Sequence, residues 1–352
     1  MAELNLKLEE YTGRFSSSLS YEHNRIFLKL HASKDSAEVS KFISEIYMEG
    51  GLLKGFSMQK CKNGVSVSLE KSSIDKVKCK GNLYELQLNR VKLEYTNEEH
   101  MNNGIIINLP PEQIEGLTKE SKQITIKAFG SEITFGYNDD TTTCIVCPDT
   151  VREILVSLIS LYYCFPIEIL QEFKNKDTNN QMEVTLRSQR RTFEDIGSRV
   201  NLYCKADNVI KFLQTANTEH PHIKDLPRYV RQFIDSFVVS EPQRFSMLFA
   251  MASSFAEYIL EKGKQGGGNL VGETISHFNI EGLEKIKDTI RQAELTRNEN
   301  KISTLADLRN ECEHNLYSEA SYEFFDNNPS VNVFMYDMAC KIVMELAGVN
   351  IE

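Results

Sequence analysis

Near residue 148 the periodicity of this sequence changes, and that change limits what the chain can fold into. From about Arg25 to Cys147, runs such as "RIFLKLHA", "GVSVSLEKS", "NLYELQLNRVKLEY", "GIIINL", "QITIKAF" and "EITFGY" alternate apolar and polar residues or carry β-branched clusters, as half-buried strands do. Lys62-Asn63-Gly64, Gly81-Asn82 and Gly130-Ser131 supply turns between them. One amphipathic helix, about Ala37 to Tyr47, is predicted inside this half, with Val39, Phe42, Ile43 and Ile46 on one side.

After Pro148 the period lengthens. Thr150 and Glu153 have capping-box spacing ahead of a largely apolar helix to about Tyr163. A second helix is predicted from Pro166 to Lys174, followed by a polar, basic stretch to Arg199. Further helices are expected at Ala206 to Thr215, Leu226 to Val238, Pro242 to Glu261, Ile280 to Glu294, Leu305 to His314 and Pro329 to Ala347. No charge falls between Arg244 and Glu257, which marks that helix as the centre of a bundle. A chain of 352 residues also exceeds what one core comfortably serves. The expected fold is therefore α+β: a β-rich antiparallel sheet or barrel-like domain over 1–148, then a helical domain over 149–352.

The opening "MAELNLKLEEYTG" lacks the pattern of a secretory signal, and the apolar run from Ile154 to Leu170 is broken by Pro166 and Glu168. It falls short of the roughly 20 residues that span a bilayer, so a cytoplasmic protein with no membrane partner is expected. Eight scattered cysteines fit reduced thiols. The formal net charge of −10 argues against broad, nonspecific nucleic-acid coating, though it leaves room for a local phosphate site.

Several short motifs carry residue types that could support chemistry. Cys144 and Cys147 lack the second pair of a zinc site and read as buried cysteines. His220-Pro221-His222 reads as a surface loop, and "GKQGGGN" (263–269), whose order does not fit a phosphate loop, as a helix cap and flexible linker. The basic cluster at Arg187, Arg190 and Arg191 is either a solvated loop or an RNA-steering patch. No metal or cofactor is expected.

"LRNECEH" suits one reaction. RNA is cleaved when a base takes the 2′-hydroxyl proton, an acid protonates the departing 5′-oxygen, and a cation meets the charge growing on phosphorus. His314 can perform either proton transfer, Arg309 can grip two phosphate oxygens, and Asn310 can orient a group beside them. Asn310 and His314 share a helix face, whereas Arg309 and His314 lie about 140° apart at roughly 100° per residue. Such a motif works best as half of a site shared by two copies of the chain. On spacing alone, an exposed charge network with Arg309 paired to Glu313 is the ordinary alternative.

This stretch resembles the signature of the HEPN superfamily: an Arg, then a polar residue, and a His four to six positions after the Arg. The order of helices around it, over about 225–350, is similar to that of HEPN bundles. The resemblance implies a homodimeric, metal-independent endoribonuclease, as found in toxin and anti-phage systems, with Arg309, Asn310 and His314 in the catalytic positions. Glu257 is a candidate to orient Arg309. A β-rich region ahead of such a bundle is similar in architecture to ApeA-type defence proteins, which implies a regulatory or sensing role and a phage-derived or other trigger. Glu311 and Glu313 depart from the expectation by making the motif locally acidic. The rival expectation is a noncatalytic HEPN-like module that binds nucleotide or RNA, or serves assembly.

Overall fold

The computed structural model describes residues 4–11, 15–32, 41, 44, 59–60, 65–69, 72–80, 83–96, 103–176, 181–193, 206–217, 219–297, 300–314 and 318–349. The predicted helix at Ala37 to Tyr47 and the turns at 62–64 and 81–82 lie outside the described residues, apart from Lys41 and Ser44. The chain divides into two compact units, one of Met1–Lys127, Ser131–Thr150 and Ile167–Phe193, the other of Ala128–Gly130, Val151–Pro166 and Glu194–Glu352.

In the first unit, strands β1 (Leu4–Tyr11), β2 (Phe15–Glu22), β3 (Arg25–Ala32), β4 (Gln59–Lys60), β5 (Val65–Ser68), β6 (Ile74–Lys80) and β7 (Leu83–Leu88) are followed by β8 (Arg90–Thr96) and β9 (Gly104–Ile107). Then come β10 (Gln123–Ala128), β11 (Ser131–Asp139), β12 (Thr142–Val146), β13 (Ile169–Lys176) and β14 (Gln181–Arg187). One sheet has the order β1-β2-β3-β7-β6, the other β10-β11-β12-β9-β13-β14-β8-β5-β4. Every described pairing in them is antiparallel.

The alternation of the sequence explains how these sheets share a core. Ile26, Leu28 and Leu30 of β3 face the same way as Leu88, Leu86 and Tyr84 of β7, their register partners. The chain passes through Asn89 into β8, where Val91 and Leu93 are paired with Leu186 and Val184. All these side chains belong to one buried cluster. Each branched or aromatic residue taken out of water there contributes about 1.5–3 kcal/mol. The uninterrupted "GIII" of β9 is buried throughout because that strand lies between β12 and β13.

The expected helix from Pro166 to Lys174 is a strand. Ile169–Lys176 pairs with β9 on one side and with β14 on the other. Its spacing fits a short helix, yet β9 needs a partner for its backbone groups, and sheet pairing outweighs local propensity. The "polar stretch" after it contains β14, whose burial alternates until Val184, Thr185 and Leu186 are all covered. A single cut at 148 therefore does not describe the units, since 167–193 return to the first. Strands β1, β2 and β6 lie outside the runs predicted from alternation. In the β10–β11 hairpin the central turn residues are Phe129 and Gly130, with φ of 58° and 64°, one position earlier than expected.

The second unit contains α1 (Asp149–Tyr163), α2 (Val209–Thr215), α3 (Leu226–Asp235), α4 (Glu241–Ser254), α5 (Gly267–His277), α6 (Leu283–Gln292), a hairpin of β15 (Thr296–Arg297) and β16 (Asn300–Lys301), α7 (Leu305–His314), α8 (Glu319–Asn327) and α9 (Pro329–Leu346). Residues 149 and 150 of α1 fall in the first unit. Helix α4 carries the uncharged segment, and α3, α5, α7, α8 and α9 all pack on it. Ser240 and Gln243 form its capping box, and a π-helical turn, Phe255–Ile259, ends it.

Helix α5 corrects the reading of "GKQGGGN" as a linker. Gly266 is its N-cap and Gly267 its first residue. A Cβ on Gly267 would meet the Phe249 ring at 3.1 Å, and one on Gly268 would meet the Ala306 Cβ at 3.1 Å. The glycines let α5 approach α4 and α7 closely, which composition cannot reveal. Helix α8 lies outside the helices predicted from periodicity. No described helix is long and apolar enough to cross a membrane.

Candidate functional site

Helix α7 starts on a reciprocal cap. The Asp307 N–H donates to Thr304 Oγ1 at 3.1 Å, and Asp307 Oδ2 accepts from the Thr304 N–H at 3.1 Å and from its hydroxyl at 2.8 Å. These bonds satisfy donors that the first turn leaves without intrahelical partners. Leu305, Leu308 and Cys312, spaced three and four apart, are buried together with Glu311. That inward stripe sets the rest of the motif outward: Arg309 and Asn310 are half-buried, and Glu313 and His314 are exposed.

The Arg309 guanidinium is engaged within its own helix. Its Nη2 lies 2.6 Å from Glu313 Oε1, and its Nη1 donates to Asn310 Oδ1 at 3.2 Å. Its Nε is buried without a hydrogen-bond partner among the described residues. Arg309 and Glu313 are one turn apart on one face, and Asn310 and His314 on the neighbouring one. The carboxylate that meets Arg309 is thus Glu313. Among the described residues no ion pair joins it to Glu257, which sits half-buried in the π turn and acts electrostatically on Tyr229. Burial, reinforced by Glu311, pushes the Cys312 thiol up to about 12.

Beside the motif is a recess of about 220 Å³ lined by Arg297, Asn300, Lys301, Ile302, Asp307 and Asn310. The β15–β16 hairpin brings the two cations of this recess to α7. Arg297 and Lys301 were not singled out in the sequence, because nothing local distinguishes them from solvated charges.

Arg187, Arg190 and Arg191 belong to the other unit. Arg187 reaches Glu172 at 3.4 Å and Arg190 reaches Asp75 at 3.7 Å. Glu168 Oε2 accepts from the backbone N–H groups of Arg190 and Arg191 at 2.9 and 3.2 Å. Cys144 is partly covered and Cys147 buried, with no disulfide. His222 faces Asp225 at 3.8 Å, and its N–H donates to His220 Nδ1 at 3.4 Å. Among the described residues no three His, Cys, Asp or Glu side chains converge on a metal-sized site.

No family model, curated protein or solved structure matches this chain.

Proposed function

We propose that the helical unit is an endoribonuclease of HEPN type, acting without metal in a site completed by a second copy of the chain. What carries this reading is the outward half of α7, where an exposed His314 follows Asn310 by one turn and a half-buried Arg309 adjoins them. In one copy Arg309 and His314 diverge by about 140° around the helix. Two copies meeting on this face would set two histidines and two arginines around one phosphate.

In the reaction, one His314 takes the 2′-hydroxyl proton as the oxygen attacks phosphorus. The other gives a proton to the departing 5′-oxygen, leaving a 2′,3′-cyclic phosphate and a free 5′-hydroxyl. Arg309 holds the nonbridging oxygens and Asn310 fixes the guanidinium through its side-chain oxygen. Cations at Arg297 and Lys301 would bind neighbouring phosphates of the strand. In cells such an activity fits a toxin-like or anti-phage response, with the β-rich unit as the sensing part.

The test is cleavage of total RNA in EDTA by the wild type, Arg309→Ala and His314→Ala, alone and with phage lysate, alongside light scattering. Loss of about 100-fold or more in both variants, from a dimeric wild type, supports the reading. Equal cleavage by all three, or a strict monomer at the assay concentration, overturns it. Binding of RNA without cleavage by any of them would favour the noncatalytic module.

A further inference from the structure

The first unit holds a cleft of about 480 Å³ where the β2–β3 hairpin meets the segment after β14. His23, Arg25, Phe27, Gln189, Arg190 and Arg191 line it, with Glu22 and Glu85 also in the wall. We propose that this cleft is a nucleotide-binding site, in which Arg25 and Arg191 take the phosphates and Phe27 stacks on the base.

The charges in the wall are not equivalent. Glu22 and Glu85 already face Lys29 and Lys78, each at 3.8 Å, and Arg190 faces Asp75 at 3.7 Å. Arg25 and Arg191 are exposed and have no carboxylate within 4.0 Å among the described residues. Two cations in one concave wall favour a dianionic group, which a guanidinium can grip through two N–H donors. The alternation of β3 buries Ile26 and Leu28 and leaves Arg25 and Phe27 on the opposite face. Phe27 is half-buried there and lines the cleft together with the cations. Base stacking on such a ring is worth about 1–3 kcal/mol.

The wall is also held in place before any ligand arrives. The Gln189 N–H donates to the Asn24 carbonyl at 2.7 Å, and the Asn24 amide donates to Gln189 Oε1 at 3.1 Å. Ser188 Oγ accepts from the Ile26 N–H at 2.9 Å, and the Asn108 amide donates to the Arg191 carbonyl at 3.1 Å. With Glu168 on the Arg190 and Arg191 N–H groups, the cationic segment is tied to the sheet on both sides. The hairpin turn itself places His23 and Asn24 at φ of 50° and 58°, a conformation that costs non-glycine residues energy and persists where its surroundings enforce it.

Size separates a nucleotide from a longer strand. The volume lies within the roughly 300–1,000 Å³ of small-ligand pockets. The net charge of −10 argues against a broad basic coat for RNA. This inference does not rest on the ribonuclease reading, and its test involves no cleavage.

Isothermal titration of the full chain with ATP, GTP, CTP and UTP in turn, and with a hexameric adenylate RNA, decides it. At least one nucleotide should bind once per chain, and Arg25→Ala/Arg191→Ala should weaken it about tenfold or more, while His314→Ala leaves it unchanged. Phe27→Ala should weaken the nucleotide but not inorganic tripolyphosphate. The proposal is overturned if none of the four binds, if the RNA alone binds, or if the double variant binds as the wild type does. Circular dichroism of each variant checks the fold, and both arginines are exposed enough to be replaced without touching the core.

Discussion

Arg309 and Glu313 are joined one helical turn apart by a 2.6 Å ion pair, and this pair holds the cation that a phosphate would need. Both side chains are about one-third exposed, so the pair stabilises the helix by only about 0.3–0.5 kcal/mol. Glu313 also competes with any anionic ligand of Arg309. The substitution Glu313→Gln should therefore leave thermal stability nearly unchanged while raising RNA affinity several-fold, measured by fluorescence anisotropy. Unchanged or weaker RNA binding would show that Arg309 is a structural residue here.

Arg297 and Lys301 should act on binding rather than on chemistry. In the proposed enzyme, Arg297→Ala/Lys301→Ala raises KM about tenfold and leaves kcat unchanged, the signature of lost uniform binding. It should also lower the slope of log affinity against log salt by about one to two, as two phosphate contacts disappear. A fall in kcat with KM intact would place these cations in the reaction itself.

Alkaline pH should loosen the helical unit. Burial pushes Cys312 from 9.0 up to about 12, and Tyr229 from 10.0 up to about 12. The unfolded chain loses these protons first, so it binds fewer protons than the native state and stability falls as pH rises. The contribution is fully present below about pH 9 and is lost progressively towards pH 12, with a slope of at most about 1.4 kcal/mol per pH unit for each group. Urea melts across this range should show the decline, and Tyr229→Phe/Cys312→Ala should flatten it. The Tyr229 hydroxyl has no hydrogen-bond partner among the described residues, so its removal leaves none stranded.

Gly348, just past α9, has φ of +63°, and a Cβ there would come within 2.6 Å of the Asn217 Cβ. Its N–H donates to the Glu345 carbonyl, and the Val349 N–H to the Met344 carbonyl. Gly348→Ala combines a strained left-handed backbone with a steric overlap, and should destabilise the helical unit by about 2–4 kcal/mol in denaturant melts. Gly263→Ala, also at positive φ but with no atom within 4 Å, should cost less.

Legibility in the sequence varied with how local the cause was. The start of α7 at Leu305 agrees with the expectation, and its apolar stripe of Leu305, Leu308 and Cys312, present in the sequence, sets the face. Strands β7 and β8 followed from alternation, because each presents one face to the shared core. The same logic failed for β13, whose identity depends on the partner strand β9, 62 positions earlier at Ile169↔Ile107. It failed too for the glycines of α5, whose purpose is to admit Phe249 and Ala306.

The candidate sites divide in the same way. The sequence by itself determined which side chains of α7 face outward, because a helix fixes their angles and the apolar stripe fixes its orientation. Tertiary structure alone decided what stands beside them. Arg297 and Lys301 share a recess with Asn310 through the β15–β16 hairpin, and Arg25 shares a cleft with Arg191 because the β2–β3 hairpin is bonded to the segment that follows β14. Periodicity records how each residue meets its own element. Which distant elements then share a wall is set by sheet pairing and side-chain packing, to which residues far apart in the chain contribute together.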